Sequence, residues 1–409
     1  MEKQIFITEV SIIEMEDIQL EHQQRFVEIT TDTGLKGYAG PLDGEYQFHA
    51  VYDRLHIFHD HLVNQDIFDT NLNFQQFWNR IYPDNPLSAY VSGKDPLTGK
   101  EVWQKHRTAR HTPTGEIITA FSAIDIALWD LRGKASNRPV YQMLDGTRTK
   151  LPVYVSCMGS MTPEDALGKG KYWYEKGFKR HKCFLPHRPA RPEGIKDNLE
   201  MAAAVRNGLP EDAEIMFDLS RLNDQVDDIP TRTERLQWAC DMVKELEQYH
   251  PYWVEEPVSP DDIAGYESIR KANPTVKISG GEHLYTRWNL KPYLDRGLLD
   301  FVQCDPEWCG GISEFIEICK MVEQSYPNVR VIPHGHMFLA APQGVAAQSE
   351  MVAPMVEYLY QVIPERTRYL KSSVEPVSGV FMIPDYPGVG PDLDTAKYRI
   401  VNVYRGSEL

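Results

Sequence analysis

From about residue 150 onward, short β-branched or aromatic runs alternate with longer amphipathic stretches, and this rhythm constrains the fold more than any other feature of the chain. The runs are Val153 to Ser156, Arg180 to Phe184, Glu214 to Asp218, Tyr252 to Glu255, Lys277 to Ser279, Phe301 to Cys304, Val329 to Ile332 and Val356 to Leu359. Between two of them, Leu236, Ala239, Cys240, Val243 and Leu246 have the spacing that puts apolar side chains on one helix face. Eight strand candidates with helices between them point to an α/β fold with a barrel of the TIM type. An open doubly wound sheet is the alternative that the pattern alone leaves standing.

The first third reads differently. At 409 residues the chain exceeds the usual size of one domain, which predicts a large core with a smaller attached unit, or two similar halves. Phe26 to Thr30 reads as a strand, TDTG and GLKGY supply turns, and His56 to Ile81 is mainly helical with polar faces. Residues Val91 to Pro113 lack periodicity and are expected to form an exposed loop. A helix from about Ile117 to Lys134 places Phe121, Ile124, Leu128 and Leu131 on one stripe and leads into the barrel. After Tyr360, the charged PERTRYLKSS precedes VFMIP and the turn-rich PDYPGVGPDLD, as if the chain leaves the barrel and returns to the cap. The expected units are an α+β cap over 1–120, a barrel over 121–365 and a returning segment over 366–409.

Composition narrows the function classes. A formal charge of −16 argues against a phosphate-tracking surface, so no nucleic-acid partner is expected. No window reaches the apolar length of a membrane span. The start, MEKQIFITEV, has no apolar h-region, which makes the cytoplasm the expected compartment. Six cysteines without CxxC pairs read as reduced buried thiols.

The chemistry is carried by the polar residue at the end of each apolar run. Asp218 closes EIMFD, Glu255 closes YWVE, Glu282 comes after KISGG, Asp305 after FVQC and His334 after VRVIP. Residues at the C-terminal ends of successive barrel strands converge on one mouth. Three adjacent carboxylates repel unless a cation sits among them, and an all-oxygen set selects a hard ion, so Asp218, Glu255 and Glu282 are expected to hold Mg²⁺. Asp305 is placed to accept Nδ1–H of His334 and orient the other ring nitrogen as a base. His336 in the same PHGH run competes for that role, and Gly335 leaves backbone room beside His334.

AFSAIDIALWDLRGKASNRPVYQMLDG, WVEEP, SGGEH, CDPEWCGG and VIPHG together resemble the mandelate racemase subgroup of the enolase superfamily, in its L-rhamnonate dehydratase-like branch. The resemblance spans nearly the whole chain. It implies a (β/α)7β barrel under an α+β cap, and a Lys or His base working with Mg²⁺ to stabilise an ene-diolate. It implies the same metal ligands and the Asp305–His334 dyad, with His283 contacting substrate, Glu357 hydrogen-bonding the enolate and a symmetric homo-oligomer. Racemases of the family carry Lys-x-Lys on the second strand, whereas here Lys182 is succeeded by Cys183 and Phe184. Lys182 then supplies positive charge near the substrate carboxylate, and the second base is missing. The implied reaction is dehydration of an acid sugar to a 2-keto-3-deoxy acid, with His334 taking the α-proton and then protonating the departing 3-hydroxyl in a syn elimination.

Two rivals stand beside it. An epimerase or cycloisomerase needs a second acid-base group, for which Arg180, His181 and Tyr285 are the candidates. A non-catalytic metal-stabilised binding protein is the other, since fold alone does not establish function. Gly93 to Lys100 has the wrong glycine spacing for a phosphate loop, and His56, His59 and His61 lie on a solvated helical stretch. Substrate choice is assigned to residues 15–25 and 85–113, with HRPARPEG adding basic residues near the mouth.

Overall fold

The computed structural model describes residues 4–69, 72, 90–94, 101–105, 114–157, 159–187, 194–220, 232–335 and 339–409. Strands β1 (Ile7–Asp17) and β2 (His22–Thr31) form an antiparallel hairpin with Ile12 opposite Val27, and β3 (Lys36–Ala39) adds to β2. Side chains alternate across a strand, and here both faces are covered. Ile13, Met15 and Phe26 pack with Tyr369, Leu393 and Tyr398, while Val10, Ile12, Val27 and Ile29 join the main core. Helices α1 (Gly44–Tyr52) and α2 (Leu55–Leu62) contribute Phe48, Val51, Leu55 and Phe58 to that core. The stretch expected to be a loop contains a hairpin, β4 (Tyr90–Lys94) against β5 (Glu101–Lys105). Its period-two signal is interrupted by Gly93 and by charged residues, which is why the sequence reads as aperiodic.

Helix α3 (Thr114–Ala135) joins this sheet to the barrel and is buried almost all round, beyond the single stripe expected from its sequence. It can lie so close because Gly37 has no side chain. A Cβ there would come within 2.3 Å of the Ala127 carbonyl oxygen. A short α4 (Val140–Met143) comes next.

Eight parallel strands then curl round one axis: β6 (Lys150–Cys157), β7 (Arg180–Phe184), β8 (Glu214–Asp218), β9 (Val254–Glu255), β10 (Ile278–Gly280), β11 (Phe301–Val302), β12 (Arg330–Val331) and β13 (Val356–Leu359). Their spatial order, β12-β11-β10-β9-β8-β7-β6-β13, keeps sequence neighbours side by side and puts the last strand beside the first. This is the β/α barrel that the eight runs predict. No ladder joins β12 to β13; the two meet where Gly335 lies against Glu357, so closely that a Cβ on Gly335 would be 2.7 Å from the Glu357 carbonyl oxygen.

The intervening helices are α5 (Pro163–Glu175), α6 (Gly194–Gly208), α7 (Arg232–Leu246), α8 (Ile263–Ala272), α9 (Thr286–Asp295), α10 (Gly311–Ser325) and α11 (Ala340–Ala346). Among the described residues, two begin with side-chain caps: Thr162 accepts from the Asp165 N–H and Asp262 from the Gly265 N–H. Beyond α12 (Ile363–Thr367), β14 (Val380–Met382) pairs antiparallel with β6, and β15 (Arg399–Arg405) pairs with β1 at the edge of the N-terminal sheet. The six cysteines are unpaired, five of them buried. Among the described residues no helix is long and apolar enough to cross a membrane.

Candidate active site

Inside the barrel, Tyr154, Met216, Trp253, Phe301, Ile332 and Met355 form one apolar layer. Tyr154 and Trp253 meet edge to face with ring centroids 5.3 Å apart. Because side chains repeat on one face every second residue, the next layer toward the mouth is set by the residues two further on. Those are Ser156, Asp218, Glu255, Gln303, His334 and Glu357, and from β7 the layer receives Lys182. All seven are buried.

Lys182 holds the centre of this layer. Its ammonium lies 2.8 Å from Glu255 Oε1, 2.9 Å from Glu357 Oε1 and 3.2 Å from Asp218 Oδ2. Burial opposes its charge, but these carboxylates outweigh burial and keep the Lys182 pKa well above its ordinary value. Glu255 also accepts from Trp253 Nε1 at 3.1 Å, and Asp218 Oδ1 accepts from the Ser220 N–H at 2.9 Å and its hydroxyl at 2.7 Å. Burial, and then Asp218, hold the Glu255 carboxyl well above the usual range despite the lysine. Glu357 is depressed instead: burial opposes this, while Lys182 and His334 prevail.

The second grouping faces the first. Asp305 Oδ2 lies 2.7 Å from His334 Nδ1, and His334 Nε2 points to Glu282 Oε2 at 3.6 Å. Trp308 stacks on the imidazole at 4.8 Å. Burial works against the imidazolium, yet Glu282, the Asp305 hydrogen bond and Glu357 push its pKa up to about 10. Burial raises Glu282 to about 7. His283, with a half-exposed ring, lies 3.3 Å from Glu282 Oε1 and 3.6 Å from Glu256 Oε2; against burial, the two carboxylates raise it to about 9.

Of the expected residues, the structure thus gathers Lys182, Asp218, Glu255 and Glu357 on one side and Glu282, His283, Asp305 and His334 on the other. The tightest potential ligand group among the described residues is Glu256, Glu282 and His283, whose donor atoms lie within 4.8 Å of one another. It shares only Glu282 with the expected trio. The spacing of the apolar runs singles out neither Glu256, the second acid of WVEEP, nor Trp308, although CDPEWCGG contains it. Glu256 is buried with φ of 40°, a left-handed backbone conformation that favours glycine, so its carboxylate is aimed by a constrained turn that no spacing rule reveals.

The rival second-base candidates separate as well. Arg180 forms a short ion pair to Glu214, and the buried His181 ring stacks on Tyr174 of α5, on the outer face of the barrel wall. Phe184, two residues past Lys182, presents its ring 5.3 Å from the ammonium. Tyr285 has a hydroxyl pushed up to about 12 by burial, Glu282 and Asp305. His336 lies outside the described residues.

The donors fit a hard divalent cation. Asp218, Glu255, Glu282 and Glu256 offer oxygen from consecutive strand ends, and burial first, with neighbouring carboxylates second, raises Glu255 and Glu282, a cost to their charged forms that a dication would relieve.

An eight-stranded curled β/α barrel with titratable groups on successive strand ends, beneath a sheet built from both ends of the chain, defines the class of capped barrel proteins. Within it the family is specific. Residues 169–397 match the family described as enolase C-terminal domain-like, residues 15–145 match the mandelate racemase / muconate lactonizing enzyme N-terminal domain, and the chain belongs to this family. Among sequence relatives, an L-rhamnonate dehydratase from Saccharopolyspora erythraea is 29% identical over 319 residues, covering 75% of each chain. A dehydratase candidate from Zymomonas mobilis ZM4 has a similar structure, with TM-score 0.78 and 23% identity over 98% of this chain and 99% of that one. The 3,6-anhydro-D-galactonate cycloisomerase from Zobellia galactanivorans shares the fold at TM-score 0.71 and 23% identity, over 97% and 98% of the two chains.

Proposed function

We propose that this chain is a Mg²⁺-dependent hydro-lyase that converts an acid sugar of the aldonate class, rhamnonate-like in its chemistry, to a 2-keto-3-deoxy acid. The observation that carries the reading is that, among the described residues of the mouth, one Asp–His pair stands with a lysine whose second neighbour along the strand is Phe184. One base serves elimination, whereas inversion at carbon needs two. The relative named L-rhamnonate dehydratase supports the substrate class.

In this reading Asp218, Glu255 and Glu282 hold Mg²⁺, which supplies a Lewis acid for the substrate carboxylate. With Glu282 engaged by the cation, the carboxylate that most raises the His334 pKa would be offset, and neutral His334 Nε2 would take the α-proton, with Asp305 fixing the Nδ1–H tautomer and stabilising the imidazolium that forms. The same nitrogen then returns the proton to the departing 3-hydroxyl. Lys182 provides fixed positive charge where the carboxylate gains electron density, and Glu357 holds the lysine in place from the opposite side. His283 hydrogen-bonds the substrate at the rim. Trp308 covers the imidazole and limits water at the proton-transfer step.

The test incubates the protein and Mg²⁺ with a panel of aldonic and aldaric acids, reads 2-keto acid as its semicarbazone, and includes His334→Asn and EDTA controls. Turnover that falls by about 10³-fold or more in the variant is expected. Exchange of the α-proton in D₂O without keto acid would replace this reading by an epimerase or cycloisomerase. Silence across the panel would remove the dehydratase reading.

A further inference from the structure

Strand β11 is only two residues long, so Asp305 is not held by a strand ladder. The Asp305 carbonyl oxygen is held within the loop by the Trp308 and Cys309 N–H groups, at 2.9 and 2.7 Å, while its carboxylate is set by a chain of bonds that reaches out of the barrel. Asp305 Oδ1 accepts from the Glu307 N–H at 2.8 Å, leaving Oδ2 for His334. The other end of residue 307 is gripped from the cap: Gln47 of α1, itself buried, donates from Nε2 to the Glu307 carbonyl oxygen at 3.2 Å.

The Gln47 amide is fully specified. Its oxygen accepts from the Asp43 N–H at 2.6 Å, and its nitrogen reaches a second carbonyl, Thr119 O of α3, also at 3.2 Å. One donor and two acceptors match one amide in one orientation only. Asp43 is in turn tied to the barrel by Arg366 at 2.6 Å. Further along the same loop, Ser122 Oγ of α3 accepts from the Gly310 N–H at 2.8 Å, and Asp125 accepts from the Ser313 N–H at 2.9 Å. The far end of the loop is therefore pinned by α3, and its Glu307 end is tied to the cap by this amide. A buried glutamine serving packing alone could be replaced by an apolar side chain of similar volume at little cost.

We infer that Gln47 is a positioning residue: by holding the Glu307 peptide it sets the orientation of the Asp305 carboxylate, and so couples docking of the cap to the geometry of the Asp305–His334 pair. Its kinetic consequence rests on the dehydratase reading above; its structural consequence does not. Without the amide, the Glu307 carbonyl loses its hold from the cap and the turn rests on the Trp308 and Cys309 N–H bonds to the Asp305 carbonyl alone, at 2.9 and 2.7 Å, so the Asp305 oxygen that the turn orients shifts against Nδ1.

The experiment compares wild type with Gln47→Leu and Gln47→Glu in the full-length, Mg²⁺-loaded protein. Gln47→Glu keeps the acceptor for Asp43 and turns the donation to two carbonyl oxygens into repulsion, so it breaks the same contact by a different route and carries the test if Gln47→Leu does not fold. Leu62→Ala, in the cap core and remote from this chain of bonds, is the control for general destabilisation. Two readouts are taken: kcat and KM, and the low-field proton resonance of His334 Nδ1–H, assigned by its loss in His334→Asn. Both Gln47 variants are expected to shift or broaden that resonance and lower kcat by roughly ten- to a hundredfold, with KM within about twofold. Leu62→Ala is expected to lower Tm and leave the resonance in place. An unmoved resonance in the Gln47 variants, or an equal change in Leu62→Ala, overturns the inference. If wild type turns over nothing in the acid panel, the dehydratase reading fails, and the resonance alone decides the role of Gln47.

Discussion

The floor and the mouth of this barrel are built by the same strands, two residues apart, yet they are opposite in chemistry. Met216, Trp253, Ile332 and Met355 fill the floor; Asp218, Glu255, His334 and Glu357 stand directly above them. One strand period thus converts a dry plug into a layer of buried charge. The floor keeps water and mobile ions from below, so the charges above interact at low effective dielectric, and their pKa values move far from their ordinary positions. The floor tolerates its neighbours because it carries almost no polar atoms. The mouth holds together because three carboxylates share one ammonium and the imidazole of His334 stands beside two more.

Breaking that match should have the largest effect. Lys182→Met keeps the volume of the side chain but leaves Asp218, Glu255 and Glu357 without their shared ammonium. Removal of one partner from a buried ionic group costs about 3–5 kcal/mol. Chemical denaturation is the measurement, with turnover expected to fall by about 10²–10³-fold. Added Mg²⁺ should restore more stability to the variant than to wild type, because the cation then supplies charge that the lysine no longer does. Equal Mg²⁺ effects in the two proteins would separate the carboxylates from the cation site.

The next prediction concerns the outward side of the lysine's own strand. His181 is buried against Tyr174 on the outer face of the barrel wall, and burial lowers its pKa from 6.5 to about 4. Between those values the unfolded chain binds the proton and the folded one does not, so stability is lost as pH falls from about 6.5 to 4. The shift corresponds to about 3 kcal/mol at the acid end of the window. His181→Phe should therefore flatten the acid side of the stability profile over that window while leaving turnover at neutral pH within about twofold. A profile as steep as wild type would assign acid lability to the mouth instead.

The same geometry decides how much of the molecule is legible in its sequence. Three barrel strands, Arg180–Phe184, Glu214–Asp218 and Val356–Leu359, have the bounds their apolar runs predict. β9, β11 and β12 are shorter than predicted, at two residues each: β11 leaves the ladder at its mouth end, β9 joins it late, and β12 loses one residue at each end. A polar residue at the end of a run is visible as a string; the partners that aim it are not. Gln47 lies 258 positions before Asp305 and belongs to an ordinary amphipathic helix, and Glu256 owes its direction to a left-handed φ. Long-range hydrogen bonds and backbone turns leave no period to read. The hairpin at Tyr90–Lys94 and Glu101–Lys105 is hidden for a related reason, since glycine and charges mask its alternation.

The smallest expected effect tests a polar bond between the two layers. Trp253 belongs to the floor, but its Nε1 donates to Glu255 Oε2 at 3.1 Å, fixing one oxygen of a carboxylate whose other oxygen meets Lys182. Trp253→Phe retains an aromatic ring against Tyr154 and Phe301 and removes the donor. The lost bond to a charged acceptor, with the smaller ring, is expected to cost about 1.5–3 kcal/mol. If the floor only fills space, that loss appears in Tm alone and Mg²⁺ titrates as in wild type. If it also orients the layer above, the Mg²⁺ concentration giving half-maximal activity or half-maximal thermal shift should rise by about tenfold, the range expected when a group supporting a ligand is removed. The second outcome would make the floor part of the cation site, since the carboxylate it steadies then needs both the lysine and the indole to present its oxygen.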